Sequence, residues 1–165
     1  MIARMLDERD LQILALLQAD GRRSHSEIAR SLGIAPSAVL ERVRKLERRG
    51  VIRGYAARLD PASLEQALLA FVFVQADERP GGGDLGTRLA ELPGVQEVHH
   101  VAGEDCYLVK VRCASPEALG RLLREDLGAL SEVRRTRTTV ALGTIKESTA
   151  LRFPGRPTET GDDPV

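Results

Sequence analysis

Ser24 to Gly50 reads SHSEIARSLGIAPSAVLERVRKLERRG, two amphipathic segments parted by a glycine and a proline. Ser24 is placed to cap a helix, and Glu27 three residues on completes a capping box. Ile28 and Leu32 give that helix a short apolar face. Gly33 follows, the residue that most readily takes the left-handed conformation that ends helices. Pro36 suits the first turn of a second helix, because its fixed φ is helical and no N–H is needed there. Val39, Val43 and Leu46 recur at i, i+4 and i+7 and form one buried seam. The opposite face bears Ser37, Leu40, Glu41, Arg44 and Arg48. Gly50 ends the helix, and Val51 and Ile52 begin an extended segment. This is the layout of a helix-turn-helix, whose second helix enters the DNA major groove. Two helices of an ordinary bundle would show the same short pattern, so the flanking sequence has to decide.

On the N-terminal side, Asp7 is placed to cap a first helix, with Asp10 near the positive end of its dipole. Leu11, Leu14 and Leu17 recur every three residues, and Ile13 and Leu16 widen the stripe until Asp20-Gly21 stops it. Three helices by residue 49 make a trihelical unit. VIRGYAARLD (51–60) alternates around Gly54 like a short strand or wing. Asp60-Pro61 then closes a first domain at residues 1–60, because proline disfavours helix in the residue before it.

The rhythm changes after residue 60. Ala67 to Val74 is a continuous apolar run, as expected of a strand buried on both faces or at an interface. RPGGG (79–83) reads as a loop. Leu85, Leu89 and Leu92 form a helical seam ended by Pro93-Gly94. Val95 to Ala102 and Cys106 to Cys113 read as the second and third strands, joined through Gly103-Glu104-Asp105. Ser115 caps another helix, striped by Leu119, Leu122, Leu123 and Leu127. Val133 to Ile145 reads as the fourth strand, with Thr136, Thr138, Val140 and Leu142 on one face. The order is β-α-β-β-α-β, so the fold class is α+β, a trihelical winged helix-turn-helix followed by a ferredoxin-like sandwich at 61–147. Two helices cover only one sheet face, so a second copy of the sheet is the simplest cover for the other, which predicts a homodimer. Residues 148–165, rich in proline and glycine, read as a flexible tail.

Composition narrows the function. The chain has 165 residues, enough for two small domains, and only 3% aromatics, so its cores are aliphatic. No run approaches the roughly 18 apolar residues of a spanning helix, and MIARMLDERD lacks a secretory apolar region. A cytoplasmic location follows as the expectation. Net charge is zero, but residues 1–60 hold 12 Lys+Arg against 8 Asp+Glu, and residues 61–165 hold 12 against 16. That asymmetry suggests a nucleic-acid-binding part joined to a part with another task. Cys106 and Cys113 would lie about 23 Å apart on an extended strand, too far for a disulfide. His99 and His100 point to opposite faces of a strand and lack further ligands, so no metal site is expected. No nucleophile–base set, phosphate loop or buried carboxylate pair stands out, so an enzyme is not expected.

Over nearly all of residues 5–147 the chain resembles the leucine-responsive regulator family, Lrp/AsnC. The resemblance rests on LDERDLQIL, QADGR, LGIAPSAVLERVRKLE, RRGVIRGY, GEDCYLVKV and TRTTVAL. It implies a prokaryotic transcription regulator with an N-terminal winged helix-turn-helix. Its C-terminal domain would join dimers into tetramers or octamers and bind a small effector, usually an amino acid. Two positions depart from the family pattern. Ala35 stands where serine is frequent before Pro36, and Cys106 where an aspartate is frequent in the effector loop.

Ser37, Leu40, Glu41 and Arg44 are the expected base-reading residues. Arginine pairs with guanine O6 and N7, glutamate accepts from cytosine N4, and leucine packs on a thymine methyl. Arg42 lies nearer the buried seam and is expected to fix the helix through a carboxylate. Arg22, Arg23, Ser24, Ser26, Lys45, Arg48 and Arg53 are the phosphate candidates. Gly103, Glu104, Asp105 and Cys106 form the candidate effector loop. Its glycine-containing bend exposes N–H groups for a carboxylate, and its acids offer a counter-charge for an ammonium. By family architecture, Thr136 and Thr138 would line the same site from a neighbouring subunit. No cofactor is expected beyond such an effector. The competing reading is an architectural DNA-binding protein that responds to no effector.

Overall fold

The computed structural model describes residues 6–77 and 84–153; the RPGGG loop and residues 154–165 of the expected tail lie outside the described residues. The described chain forms two compact units, one of residues 6–58 with 148–153 and one of residues 59–147.

In the first unit α1 spans Glu8–Ala19, α2 His25–Leu32 and α3 Pro36–Arg48. Each helix starts where its local chemistry directs. Asp7 accepts the Asp10 N–H at 2.8 Å and caps α1. Ser24 and Glu27 form both arms of a capping box, the Ser24 hydroxyl accepting the Glu27 N–H and the Glu27 carboxylate accepting the Ser24 N–H. Gly33 ends α2 at φ 64°, a left-handed value that costs glycine little. Ala35 gives α3 no side-chain cap, and Pro36 occupies its first turn. Ile13, Ile28, Val39, Val43 and Leu46 form the core. The centre of the α1 seam is therefore Ile13, whereas Leu14, Leu16 and Leu17 flank it partly buried. A three-residue spacing advances about 300°, so the Leu11-Leu14-Leu17 series drifts around the helix instead of holding one face.

The expected strand at 51–60 does not form. The N–H groups of Val51 and Ile52 instead turn back to Leu46 O, at 2.9 and 3.3 Å, and close the end of α3. Ile52 packs against the core, while Val51, Tyr55 and Leu59 stay exposed. The described part of the expected tail is engaged. The Gln18 carboxamide donates to Leu151 O at 2.8 Å and accepts the Leu151 N–H at 2.9 Å. That pairing draws residues 148–153 into the first unit.

The second unit is a four-stranded antiparallel sheet of β1 (Leu68–Ala76), β2 (Val95–His100), β3 (Tyr107–Cys113) and β4 (Val133–Val140), in the order β2-β3-β1-β4. With α4 (Leu85–Ala90) and α5 (Pro116–Arg121) it completes the ferredoxin-like sandwich. α5 does not continue as an α-helix through the leucine stripe; Leu122–Leu127 is π-helical. The wider turn brings Leu122 and Leu127, five residues apart, onto one buried face. Ala70, Val72 and Val74 are fully buried in the core, with Val109, Val111, Leu85 and Leu89. Phe71 and Phe73, on the other face of β1, are only half-buried.

β4 ends at Val140, short of the expected Ile145. The Ala141 N–H still reaches Leu69 O at 2.9 Å. Beyond it the chain crosses the uncovered face, where the Glu147 carboxylate meets Lys110 Nζ and, at 3.0 Å, an Arg112 guanidinium nitrogen. Leu142 and Ile145 are fully exposed along this crossing.

Candidate nucleic-acid interface and effector loop

The seam of α3 sets which of its side chains face outward. With Val39, Val43 and Leu46 buried, Ser37, Glu41, Arg44, Lys45 and Arg48 are exposed and Leu40 is half-buried beside them. Among the described residues, none of Glu41, Arg44, Lys45 and Arg48 makes an ion pair. Their charges are solvated, which leaves the cations of Arg44, Lys45 and Arg48 open to a polyanion. Arg22, Ser26 and Arg53 are likewise exposed, and Arg23 is half-buried. Ser24 is different, because its hydroxyl proton goes to the Glu27 carboxylate at 2.7 Å. That hydrogen bond holds the Glu27 carboxyl below its usual range. A phosphate arriving at Ser24 would meet an occupied donor beside a carboxylate.

Arg42 faces inward. It donates to Asp7 at 2.6 Å and to Asp10 at 2.7 Å, and the Asp10 side chain is only 4% exposed. The hydrogen bond from Arg42 holds the Asp7 carboxyl below its ordinary value, helped by the Asp10 N–H. Arg42 thus fixes the angle at which α3 presents its outer face.

In the second unit, Cys106 anchors the loop that follows β2. Its N–H reaches Val74 O at 2.9 Å, its thiol donates to Ala76 O at 3.4 Å, and its carbonyl accepts the Val101 N–H at 2.9 Å. Gly103 takes φ 139°, which a side chain would resist. The backbone N–H groups of Gly103, Glu104 and Asp105 have no partner among the described residues. The loop lies at the end of the sheet where Val74 pairs with Thr136, and Thr138 stands two residues along β4. The side chains divide between faces. Thr136 and Thr138 lie opposite Val74 and Val72, on the helix-covered side, whereas Arg137 lies opposite Phe73 on the uncovered side. Asp105 turns to the uncovered side too, accepting from Arg137 at 3.1 Å. Arg137, within TRTTVAL, also stacks on the Phe73 ring, 3.9 Å from its centroid.

The two histidines part as expected of neighbours on a strand. His99 meets Glu97 at 3.2 Å, and His100 stacks near Tyr107 with ring centroids 5.1 Å apart. Cys106 and Cys113 are both free thiols, and burial pushes the Cys113 thiol up.

A helix-turn-helix with a solvated outer face, joined to a ferredoxin-like domain with an open loop, defines a ligand-domain DNA-binding regulator. Comparison with known proteins narrows the class. Residues 6–53 match a winged helix-turn-helix DNA-binding family, and residues 69–151 match the Lrp/AsnC ligand binding domain. The leucine-responsive regulatory protein of Escherichia coli K12 is 41% identical over 150 residues, covering 88% of this chain and 90% of that protein. A transcriptional regulator of Neisseria meningitidis, solved in complex with L-Met, superposes with a TM-score of 0.83 at 29% identity, covering 90% of this chain and 97% of that one. A feast or famine regulatory protein of M. tuberculosis, complexed with L-methionine, gives a TM-score of 0.81 at 38% identity, covering 89% of this chain and 99% of that one. The chain belongs to the Lrp/AsnC family of transcriptional regulators. It is a DNA-binding transcriptional regulator that carries the family's ligand-binding domain.

Proposed function

We propose that the protein binds operator DNA through α3 and that an amino acid held at the 103–106 loop tunes this binding. Residues 1–60 carry the DNA function, and residues 61–147 carry effector binding and assembly. The observation behind the DNA half is the outer face of α3, charged and free of ion pairs among the described residues, on a helix pinned by Arg42. Ser37, Leu40, Glu41 and Arg44 read base edges, and Arg22, Arg23, Ser26, Lys45, Arg48 and Arg53 meet phosphates. Ser24 contributes through the capping box that orients α2. The effector site uses the unpartnered N–H groups of Gly103, Glu104 and Asp105 for a carboxylate. Cys106 anchors that loop, and Thr136 and Thr138 come from a neighbouring subunit.

The assembly is a homodimer through the uncovered sheet face, with tetramers or octamers built from dimers. Phe71, Phe73 and the fully exposed Leu142 and Ile145 support this, since a second copy would remove them from water. The protein acts by binding and not by turnover, in the cytoplasm at the nucleoid. A second reading, an effector-independent architectural DNA-binding protein, is favoured by one observation, Cys106 at the family's frequent aspartate position.

The test is DNA binding to the gene's own upstream region, titrated with each of the amino acids at fixed salt. A specific complex whose affinity one amino acid changes is the expected result. Specific binding that no amino acid alters would sink the effector half and leave the architectural reading.

A further inference from the structure

Resting on the reading of α3 as the DNA-contacting helix, we infer that the acidic segment 154–165 docks on the outer face of α3 and competes there with DNA.

Charge, position and reach carry this. Residues 154–165 read PGRPTETGDDPV and hold Glu159, Asp162 and Asp163 against a single Arg156. Beyond its prolines and Val165 the segment has no sizeable apolar side chain, so charge is what it offers a partner. On α3, Arg44, Lys45 and Arg48 are exposed beside Glu41 and make no ion pair among the described residues. The chain that leads into the segment is fixed. Gln18 clasps the Leu151 backbone through both ends of its carboxamide, at 2.8 and 2.9 Å, and Phe153 is half-buried. Gly21, just beyond α1, lies against the Tyr55 ring, whose hydroxyl donates to Glu47 at 3.2 Å. The root of the segment and the last turn of α3, with Lys45 and Arg48, thus share one neighbourhood. Glu159 follows Leu151 by eight residues, up to about 27 Å of extended chain. The 13 residues of α3 span only about 20 Å, so the segment can reach each of its outer cations.

A tethered segment works at an effective concentration on the order of millimolar, which lets a few exposed ion pairs matter. Any duplex that uses α3 must first displace the segment, whatever the sequence of that duplex. Operator and random-sequence DNA are therefore weakened by the same factor, and the ratio between them is untouched. DNA carries one charge per about 1.7 Å of its axis and prevails over three carboxylates. The segment is a salt-sensitive brake on DNA binding.

The full-length protein with Glu159→Gln, Asp162→Asn and Asp163→Asn combined tests this. It should bind operator and random-sequence duplexes more tightly than wild type by one common factor, about three- to tenfold at low salt, the combined scale of two or three exposed pairs. At about 0.5 M salt the gain should fall below about twofold, because screening is then nearly complete. Zero-length carbodiimide cross-linking without DNA reads the contact itself. The chain has three lysines, Lys45, Lys110 and Lys146, so mass spectrometry assigns each new amide bond. Wild type should join Lys45 to Glu159, Asp162 or Asp163, and a saturating duplex should suppress that bond. Cross-links of the segment that spare Lys45 would overturn the docking, since an affinity gain without contact is long-range repulsion alone. An affinity that the three substitutions leave unchanged would overturn the competition. Failure of both proteins to bind either duplex would instead sink the reading of α3, and the Lys45 cross-link, read without DNA, would still decide the docking.

Discussion

Arg42 and Arg44 stand two residues apart on α3 and do opposite work, because about 200° of helix separates their directions. Arg42 turns toward α1 and is consumed by Asp7 and Asp10, while Arg44 remains exposed with no ion pair among the described residues. Replacing Arg44 with alanine should leave the melting temperature unchanged. It should relax discrimination at one base pair of the operator by about 1–3 kcal/mol. Competition binding with single-base operator variants reads this out, and equal weakening on every sequence would make Arg44 a phosphate contact instead. Arg42 was legible in the sequence, since its position next to the seam called for a carboxylate. The placement of Arg137 was not, because it depends on Phe73 and Asp105, residues more than thirty positions away along the chain that meet only once the sheet is paired.

Among the elements, α1 and α3 are tied through a carboxylate that is nearly out of water. Arg42→Ala would leave Asp10 buried without its cation. The loss should be about 2–4 kcal/mol, below the full range for buried pairs because Arg42 itself is one-third exposed. Urea unfolding of the variant measures it, and a loss under about 0.5 kcal/mol, the scale of an exposed pair, would show that water already solvates the site. A second tie closes the crossing after β4. Lys110 holds the Glu147 carboxyl below the ordinary glutamate value of 4.5, with Arg112 assisting. The Glu97 carboxyl is lowered by His99 and then Lys110. Depressed carboxylates give stability that is complete above their unfolded value and is lost as pH falls through the folded one. Stability of the second unit should therefore be level above about pH 5 and decline below it. Glu147→Gln should flatten that decline; an unaltered acid limb in pH-dependent thermal melts would remove Glu147 from the account. The helix starts were readable from Asp7, Ser24, Pro36 and Ser115. The π-helical turn at Leu122–Leu127 was not, because a leucine stripe serves an α-helix and a wider helix alike until packing selects one.

At the scale of the whole molecule, the proposed assembly uses the uncovered sheet face. Leu142 and Ile145 lie wholly in water in the single chain, an arrangement that a second copy would relieve. Ile145→Asp would bury a charge at that interface. Analytical ultracentrifugation should then show the 18.0 kDa monomer where wild type sediments as a dimer or larger. An unchanged mass would move the interface elsewhere. Because operator half-sites are met by paired helices, the same variant should lose most of its affinity for a two-half-site operator and keep that for one half-site.

What the sequence determined by itself is whatever a few neighbouring residues settle through local chemistry. That covers the capped helices, the seam of Val39, Val43 and Leu46, the outward charges beside it and the β-α-β-β-α-β order. Those features depend on backbone preferences and on the 3.6- and 2-residue periods, which any short window displays. The tertiary structure alone decided the rest. It left 51–60 without a strand, drew Leu151 onto Gln18, ended β4 early with Glu147 caught across the sheet, and set Arg137 over Phe73 against Asp105. Each of these joins groups far apart in the chain, and their energies arise from charge and packing in three dimensions, which no local pattern records.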